Sequence, residues 1–311
     1  MDGGSGRGSV MTRPLTPPEW ERYPLRTGEL CAGYGGLSIA IGDKHPTWVS
    51  EIDAHASRVL RERFPCSPNL GDMTSVAWES VPRVDVLMGG TPCQDLSTAG
   101  RRAGMSSETR SGLWSYMLDA TKEIEPDVVI WENVAGARTA VVEGIPALGR
   151  VVTDLAGLGY GVAWDSVRAS DVGAPHRRER VFVLAFRPTA ADTLRVLVDR
   201  TREARVGRAE PSDQDSPSHD PRLGDYGRSL RLWELLTGLP MPEPEEDSPS
   251  GGQRLSAKFC EWMMGLPKGW VTGIRTIPRT AQVRILGNGV VPRQGRCAIH
   301  GLTSRALEVL A

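Results

Sequence analysis

The sequence predicts an α/β protein built on a doubly wound, mostly parallel sheet, with a smaller irregular region following it. Three observations carry this. Short apolar runs alternate with segments of helical period as far as Phe186. A glycine-rich turn, ELCAGYGGL, links the end of the first run to the first helical segment. Two residues able to do chemistry, Cys93 and Glu132, come at or just after the ends of later runs, where open parallel sheets place their active sites.

The runs at 28–31, 48–52, 84–88, 128–131, 162–167 and 181–186 are short and apolar enough to be buried strands. Between them, 36–41, 54–64, 112–124 and 146–158 space their apolar residues as helices do. A short third strand is expected to end at Asp72, in LGDM. Beyond Phe186 the texture changes. An Arg-studded helical segment, 190–208, is followed by two loop-like tracts, 209–227 and 240–253, dense in Pro, Ser, Gly and acids. Order returns at Leu255, with Trp262 and Trp270 around GLPKGW, and Gly287, Asn288 and Gly289 open a last helix running to Ala311. No internal repeat is evident.

A chain of 311 residues, 40% hydrophobic, can bury a full core. No stretch approaches the roughly 18 consecutive apolar residues of a membrane span. Residues 1–18 are rich in Gly, Ser, Pro and Arg, read as a disordered tail rather than a secretory signal, with Met11 an alternative first residue. Five cysteines without a CxxC pair argue against a disulfide framework and a structural zinc site, so no metal is expected and a reducing cytoplasm suits the chain. Its 37 basic and 38 acidic residues nearly cancel, so any nucleic-acid surface must be local.

Gly33, Gly35 and Gly36 remove the β-carbons that would keep a cofactor from touching backbone, although such glycines also suit a plain tight turn. With Glu51 ending the next strand, placed to accept from ribose hydroxyls, and Asp72 placed to meet an adenine amino group, they describe an adenosine site. Cys31, Cys66, Cys260 and Cys297 read as packing residues. Cys93 differs: Pro92 precedes it and Gln94, Asp95 and Ser97 follow, which places the thiol on a turn. Helix dipoles and Arg178 or Arg180 are candidates for lowering its pKa from about 8.5. Glu132, closing an apolar strand, would be desolvated and its pKa raised toward the range useful for proton donation; an N-cap or salt-bridge role is the plainer alternative.

TPCQDLS, WENV, HRRERVF, the opening ELCAGYGGL and the closing LGNGVVP resemble, in order, the signature motifs of DNA cytosine C5 methyltransferases of the compact phage and bacterial type. The resemblance runs from about Arg26 to Leu310 and implies the S-adenosylmethionine-dependent methyltransferase fold. It implies Cys93 as the nucleophile that adds to C6 of cytosine and Glu132 as the group holding N3 and the exocyclic amine. Asn133 would steady the turn beside the cysteine loop, and Arg178 and Arg180 would lie near the cytosine carbonyl and the nucleophile. S-adenosylmethionine would be held by Cys31, Gly33, Tyr34, Gly35, Gly36, Glu51, Ile52, Asp72, Met73, Pro92, Asn288 and Val290.

The partner implied is double-stranded DNA with the target cytosine flipped out of the stack. Gln94, Ser97, Arg101 and Arg102 would contact it from a segment, 97–107, small and basic enough to close on DNA, with Arg110 matching the family's continuation. SVRASD and GAPHRRER would close over the pocket. The resemblance divides the chain into a tail (1–24), a catalytic and cofactor-binding domain (25–186), a target-recognition region (187–278) and a returning C-terminal segment (279–311), with no long regulatory N-terminal domain. Arg195, Arg200, Arg202, Arg205 and Arg208 suit DNA contact or a solvated helix face equally. A cognate restriction endonuclease is a conceivable partner, the setting is a bacterial or phage-infected cytoplasm, and a monomer suffices for the mechanism. Two departures stand out: His176 replaces the usual Gln, and Cys31 replaces the usual aromatic. Rival readings are a tRNA-type RNA cytosine C5 methyltransferase, a catalytically inactive DNA-binding relative, and a dinucleotide-dependent oxidoreductase, which leaves Cys93 and Glu132 without roles.

Overall fold

The structure, a computed structural model, describes residues 25–91, 112–142, 144–202, 226–249 and 251–311. Strands β1 (Thr27–Leu30), β2 (Trp48–Ser50), β3 (Val86–Gly89), β4 (Val128–Val134), β7 (Gly161–Arg168) and β8 (Glu179–Phe186) form one sheet in the order β2-β1-β3-β4-β8-β7; β5 (Val141–Val142) and β6 (Ile145–Pro146) make a separate small hairpin. Strands β1 to β4 run parallel, and β8 runs antiparallel to both neighbours, β4 and β7. The doubly wound sheet is therefore mostly parallel with one reversed strand. An apolar run looks the same in either direction, so the reversal was invisible in the sequence.

Alternation along the strands builds two cores. Val129 and Trp131 of β4 and Val181 and Val183 of β8 face one side, where Met117 and Ile124 of α3 (Leu113–Ile124) and Val151 and Leu155 of α4 (Ala147–Gly157) cover them. Val128, Ile130, Phe182 and Leu184 face the other side. There they meet Leu37 of α1 (Gly36–Ala40), Leu194 and Leu197 of α5 (Ala191–Thr201), and Ile299 and Leu302 of α9 (Pro292–Leu310). The apolar side of α5 thus belongs to the sheet's own second layer, while Arg195 and Arg202 pair with Asp192 and Asp199 three residues earlier. Arg200 is half-buried, its charge facing Asp43, and Arg205 and Arg208 lie outside the described residues.

The third expected strand is reduced to one parallel bridge, Val49 to Asn69, because Asp72 turns its carboxylate to cap Thr74 and starts a short 3-10 turn. The tract 240–253 is not purely loop: β9 (Glu245–Asp247) and β10 (Gln253–Leu255) pair across Gly251 and Gly252, both at positive φ. Glu246 accepts from Arg254 and Arg279 and fastens that hairpin to the body. Helix α6 (Gly227–Thr237) was not expected; it buries Leu230 and Trp233, with Leu236 partly buried beside them.

The expected last helix is present but starts a few residues later, and an unexpected helix precedes it. Helix α8 (Arg279–Asn288) ends where a start was expected, and α9 begins at Pro292, whose missing N–H costs nothing at a first turn. Between them, Val290 and Val291 turn into the protein. A third apolar cluster links Tyr34 and Val59 of α2 (Ala54–Arg63) and its approach to Trp233, Leu266 and Val271, and includes α7 (Ala257–Met263) through Trp262. Among the described residues, no helix is long and apolar enough to cross a membrane.

Candidate active site

The carboxyl ends of β1 and β2 and the turn at Asp72 meet at one edge of the sheet. Gly33 and Gly35 take left-handed backbone, and a β-carbon on Gly33 would meet no atom within 4 Å, so its surroundings are open. Glu51 accepts from the N–H of Gly33 at 2.8 Å and of Asp53 at 2.7 Å. Burial raises its pKa, against the lowering effect of those bonds. Ile52 beside it is 73% exposed, an apolar side chain left facing solvent. Asp72 is committed to Thr74, at 2.9 Å to the N–H and 2.8 Å to the hydroxyl. The Cys31 thiol lies 3.6 Å from the Met73 sulfur, and burial pushes its pKa up to about 12, which keeps it a neutral packing group.

Tyr34 is fully buried. Its hydroxyl donates to the Val290 carbonyl at 2.5 Å, and its own carbonyl accepts from the Trp270 indole at 2.9 Å. Gly36 packs on Val290, while Asn288 remains exposed at the end of α8. The C-terminal segment therefore abuts the glycine turn from behind, through groups turned into the protein.

A second cluster surrounds Glu132. Strand β4 does not stop at this residue: its pairing with β3 ends at Trp131 opposite Gly89, but pairing with reversed β8 continues through Val134. Glu132 thus sits one residue past the end of β3, with its carboxylate against Gly90. That carboxylate is nearly buried and is paired with Arg180, whose Nε lies 2.8 Å from Oε1. Burial raises the Glu132 pKa, and the Arg180 and Arg178 charges pull it down less strongly.

Arg178 is held differently. It donates to the Gly287 and Gly289 carbonyls at 2.5 and 2.7 Å, and burial lowers its pKa to about 10. Asn133 donates its amide to the Thr91 carbonyl at 2.9 Å. His176 reaches the Met263 carbonyl at 3.2 Å through Nε2, which must carry the proton to make that bond; burial lowers its pKa. SVRASD is not loop in its first half: it ends β7 and continues into a 3-10 turn from Ala169 to Val172. Pro92, Cys93, Gln94, Ser97, Arg101, Arg102 and Arg110 lie outside the described residues.

A family model for C-5 cytosine-specific DNA methylase matches residues 25–226. The chain belongs to that family. Its similarity to the type II methyltransferase M.DsaV of Dactylococcopsis salina is 33% identity over 168 residues, 53% of this chain and 47% of the relative. To the type II methyltransferase M.NgoBI of Neisseria gonorrhoeae it is 26% over 267 residues, 84% of this chain and 82% of the relative. The solved structure of the S. pombe Dnmt2 methyltransferase shares the fold, with a TM-score of 0.62 at 15% identity over 91% of this chain and 99% of that one. The chain spans less than two thirds of the length of several curated relatives it matches, 47% of M.DsaV among them.

For a C-5 cytosine-specific DNA methylase family member, the open Gly33 turn, the Glu51 carboxylate and exposed Ile52 fit a nucleoside with a hydroxylated ribose and an apolar base face. Sequence reading missed Thr91 and Trp131. Both are buried, and the Trp131 indole donates to the Thr91 hydroxyl at 2.8 Å. The available signal was that they are the first residues of TPCQDLS and WENV, although no role was read for either.

Proposed function

We propose that this protein transfers a methyl group from S-adenosylmethionine to C5 of a cytosine flipped out of duplex DNA. The observation that carries the reading is Glu132: a buried carboxyl with raised pKa, one residue past the end of β3, with Arg180 paired to it at 2.8 Å. Such a group can accept from the exocyclic amine and give a proton to a ring nitrogen. Membership of that family and the TPCQ motif support Cys93 as the nucleophile.

Cytosine C5 is a poor nucleophile. Addition of the Cys93 thiolate to C6, with a proton held at N3 by Glu132, converts the ring to an enamine that is nucleophilic at C5. S-adenosylmethionine, when bound, supplies an electrophilic methyl group. Loss of the C5 proton and expulsion of the Cys93 thiolate then restore the aromatic ring. Arg180 holds the Glu132 carboxyl in place, and Asn133 tethers the chain two residues before Cys93. Gly33, Gly35, Gly36, Glu51, Ile52, Asp72 and Met73 would hold the nucleoside, with Asn288 and Val290 closing the far wall.

The target base must leave the stack, at a cost of a few kcal/mol. Gln94, Ser97, Arg101 and Arg102 are assigned to DNA, residues 187–278 to target recognition, and the cytoplasm to its place of action, acting as a monomer with a cognate endonuclease as a candidate companion. The test is incubation with unmethylated DNA and S-adenosylmethionine, digestion to nucleosides, and mass spectrometry for 5-methylcytosine, with Cys93→Ser and Glu132→Gln in parallel. Product from wild type and at least about hundredfold less from each variant supports the assignment. Product on transcribed tRNA and none on several DNAs would move the substrate class to RNA.

A further inference from the structure

Thr91, two residues before Cys93 in sequence, and Trp114, in the first turn of α3, both meet one side chain. Trp131 donates its indole N–H to Thr91 Oγ1 at 2.8 Å, and its ring receives Trp114 edge-on, with centroids 6.1 Å apart and planes at 72°. Trp114 is itself fixed by donating to Asp154 at 2.9 Å, which Arg150 also holds at 2.8 Å. Trp131 is 1% and Thr91 4% exposed, so water does not compete for this bond.

The neighbours of Trp131 extend the arrangement. Asn133 binds the Thr91 carbonyl, so one residue is gripped at its side chain and its backbone by two β4 residues that flank Glu132. Between Thr91 and the end of β3, Gly90 lies so close to the carboxylate that a β-carbon there would be 2.9 Å from Glu132 Oε2. Thr is also stiff about its first side-chain torsion, so fixing its hydroxyl fixes its backbone. The segment leading to the nucleophile is thus indexed against the strand that carries the proton donor.

We infer that Trp131 is a positioning residue for Cys93, acting through its hydrogen bond to Thr91 and its contact with Trp114. The inference rests on the methyl-transfer reading above. Thr91 is two residues from the nucleophile in sequence, and rates are steeply sensitive to how a reacting group is placed.

The test uses the full chain and plasmid DNA in which cytosine is partly replaced by 5-fluorocytosine. With S-adenosylmethionine added, methyl transfer leaves C5 carrying fluorine in place of the proton that would leave, so the Cys93–C6 bond persists and the trapped complex is read on a denaturing gel. Trp131→Phe keeps a ring for Trp114 but removes the N–H; Thr91→Val removes the acceptor; Thr91→Ser keeps it. We expect Trp131→Phe and Thr91→Val each to slow trapping about tenfold, the scale of one buried hydrogen bond. S-adenosylhomocysteine affinity, KM for DNA and thermal midpoint should stay near wild type, and Thr91→Ser should restore the rate. The double variant should be no slower than either single one, since both delete the same bond.

Singles that trap at the wild-type rate, losses that multiply in the double variant, or a slowing that tracks lost cofactor affinity would each overturn the inference. Thr91→Val and Thr91→Ser leave the indole packing intact, so the comparison stands even where the Trp131 variant is unstable. Wild-type protein that never traps would refute the methyl-transfer reading itself, and this inference with it.

Discussion

Arg180 Nε lies 2.8 Å from Glu132 Oε1 in a pocket where the guanidinium side chain is 13% and the carboxylate 8% exposed. Neither charge is well solvated, so each depends on the other. Arg180→Met should leave an uncompensated buried carboxyl and cost about 3–5 kcal/mol of stability. The Glu132 pKa is already raised by burial, and removing Arg180 takes away a lowering influence. A raised carboxyl pKa means that stability is retained at low pH and lost as pH rises through the folded value. The variant's deficit in urea denaturation should therefore be larger at pH 8 than at pH 5; an equal deficit at both would show that the pair is not electrostatically coupled.

Glu51 ties two backbone N–H groups, those of Gly33 and Asp53, to the end of β2. Glu51→Ala removes both acceptors and the carboxylate offered to a ribose. Loss of charged hydrogen bonds on this scale, about 1.5–3 kcal/mol, corresponds to roughly tenfold to hundredfold weaker binding. Calorimetry with S-adenosylhomocysteine measures it directly. Ile52→Ala, which removes an exposed apolar face without touching those bonds, should weaken binding less.

Glu29 in β1 is buried and accepts from the N–H groups of Leu37 and Ser38 at 3.1 and 2.9 Å and from the Ser38 hydroxyl at 2.5 Å. Burial raises its pKa from 4.5 to about 7 despite these donors. The native state therefore binds this proton more tightly than the unfolded chain does. Its stabilising contribution is full below about pH 4.5 and is lost as pH rises through about 7. Glu29→Gln cannot titrate. Between pH 5 and pH 8 wild type should lose stability relative to this variant, by on the order of 3 kcal/mol at most. Parallel stability curves for the two proteins would contradict the assignment.

The sheet was legible because buried parallel strands write themselves as apolar runs: Val86 to Met88 and Val128 to Trp131 have no polar interruption. Direction was not legible, and direction decides the site. Reversed β8 carries β4 onward past β3 and delivers Arg180 opposite Val134, beside Glu132. Motif order in the sequence named Glu132 and Arg180, but their ion pair follows from that register alone. Trp131 and Thr91 were hidden for a different reason, since a Trp closing an apolar run and a Thr before Pro look like ordinary packing until the indole finds its acceptor.

Gly289 connects the returning C-terminal segment to the glycine turn through contact with Tyr34. Its φ is −75°, open to any residue, so its requirement is space and not backbone freedom. A β-carbon there would stand 2.0 Å from Tyr34 Cε1, a ring fixed by its hydroxyl on the next residue's carbonyl. Gly289→Ala should cost about 1–3 kcal/mol through overpacking. It should also disturb Arg178, which binds the Gly289 carbonyl at 2.7 Å. Tyr34→Leu removes the obstructing ring at the expense of one hydrogen bond, so the double variant should be less destabilised than the sum of the singles. Additive thermal denaturation losses would mean that Gly289 and Tyr34 are not in the steric contact described, and that the C-terminal segment is held against the turn by other residues.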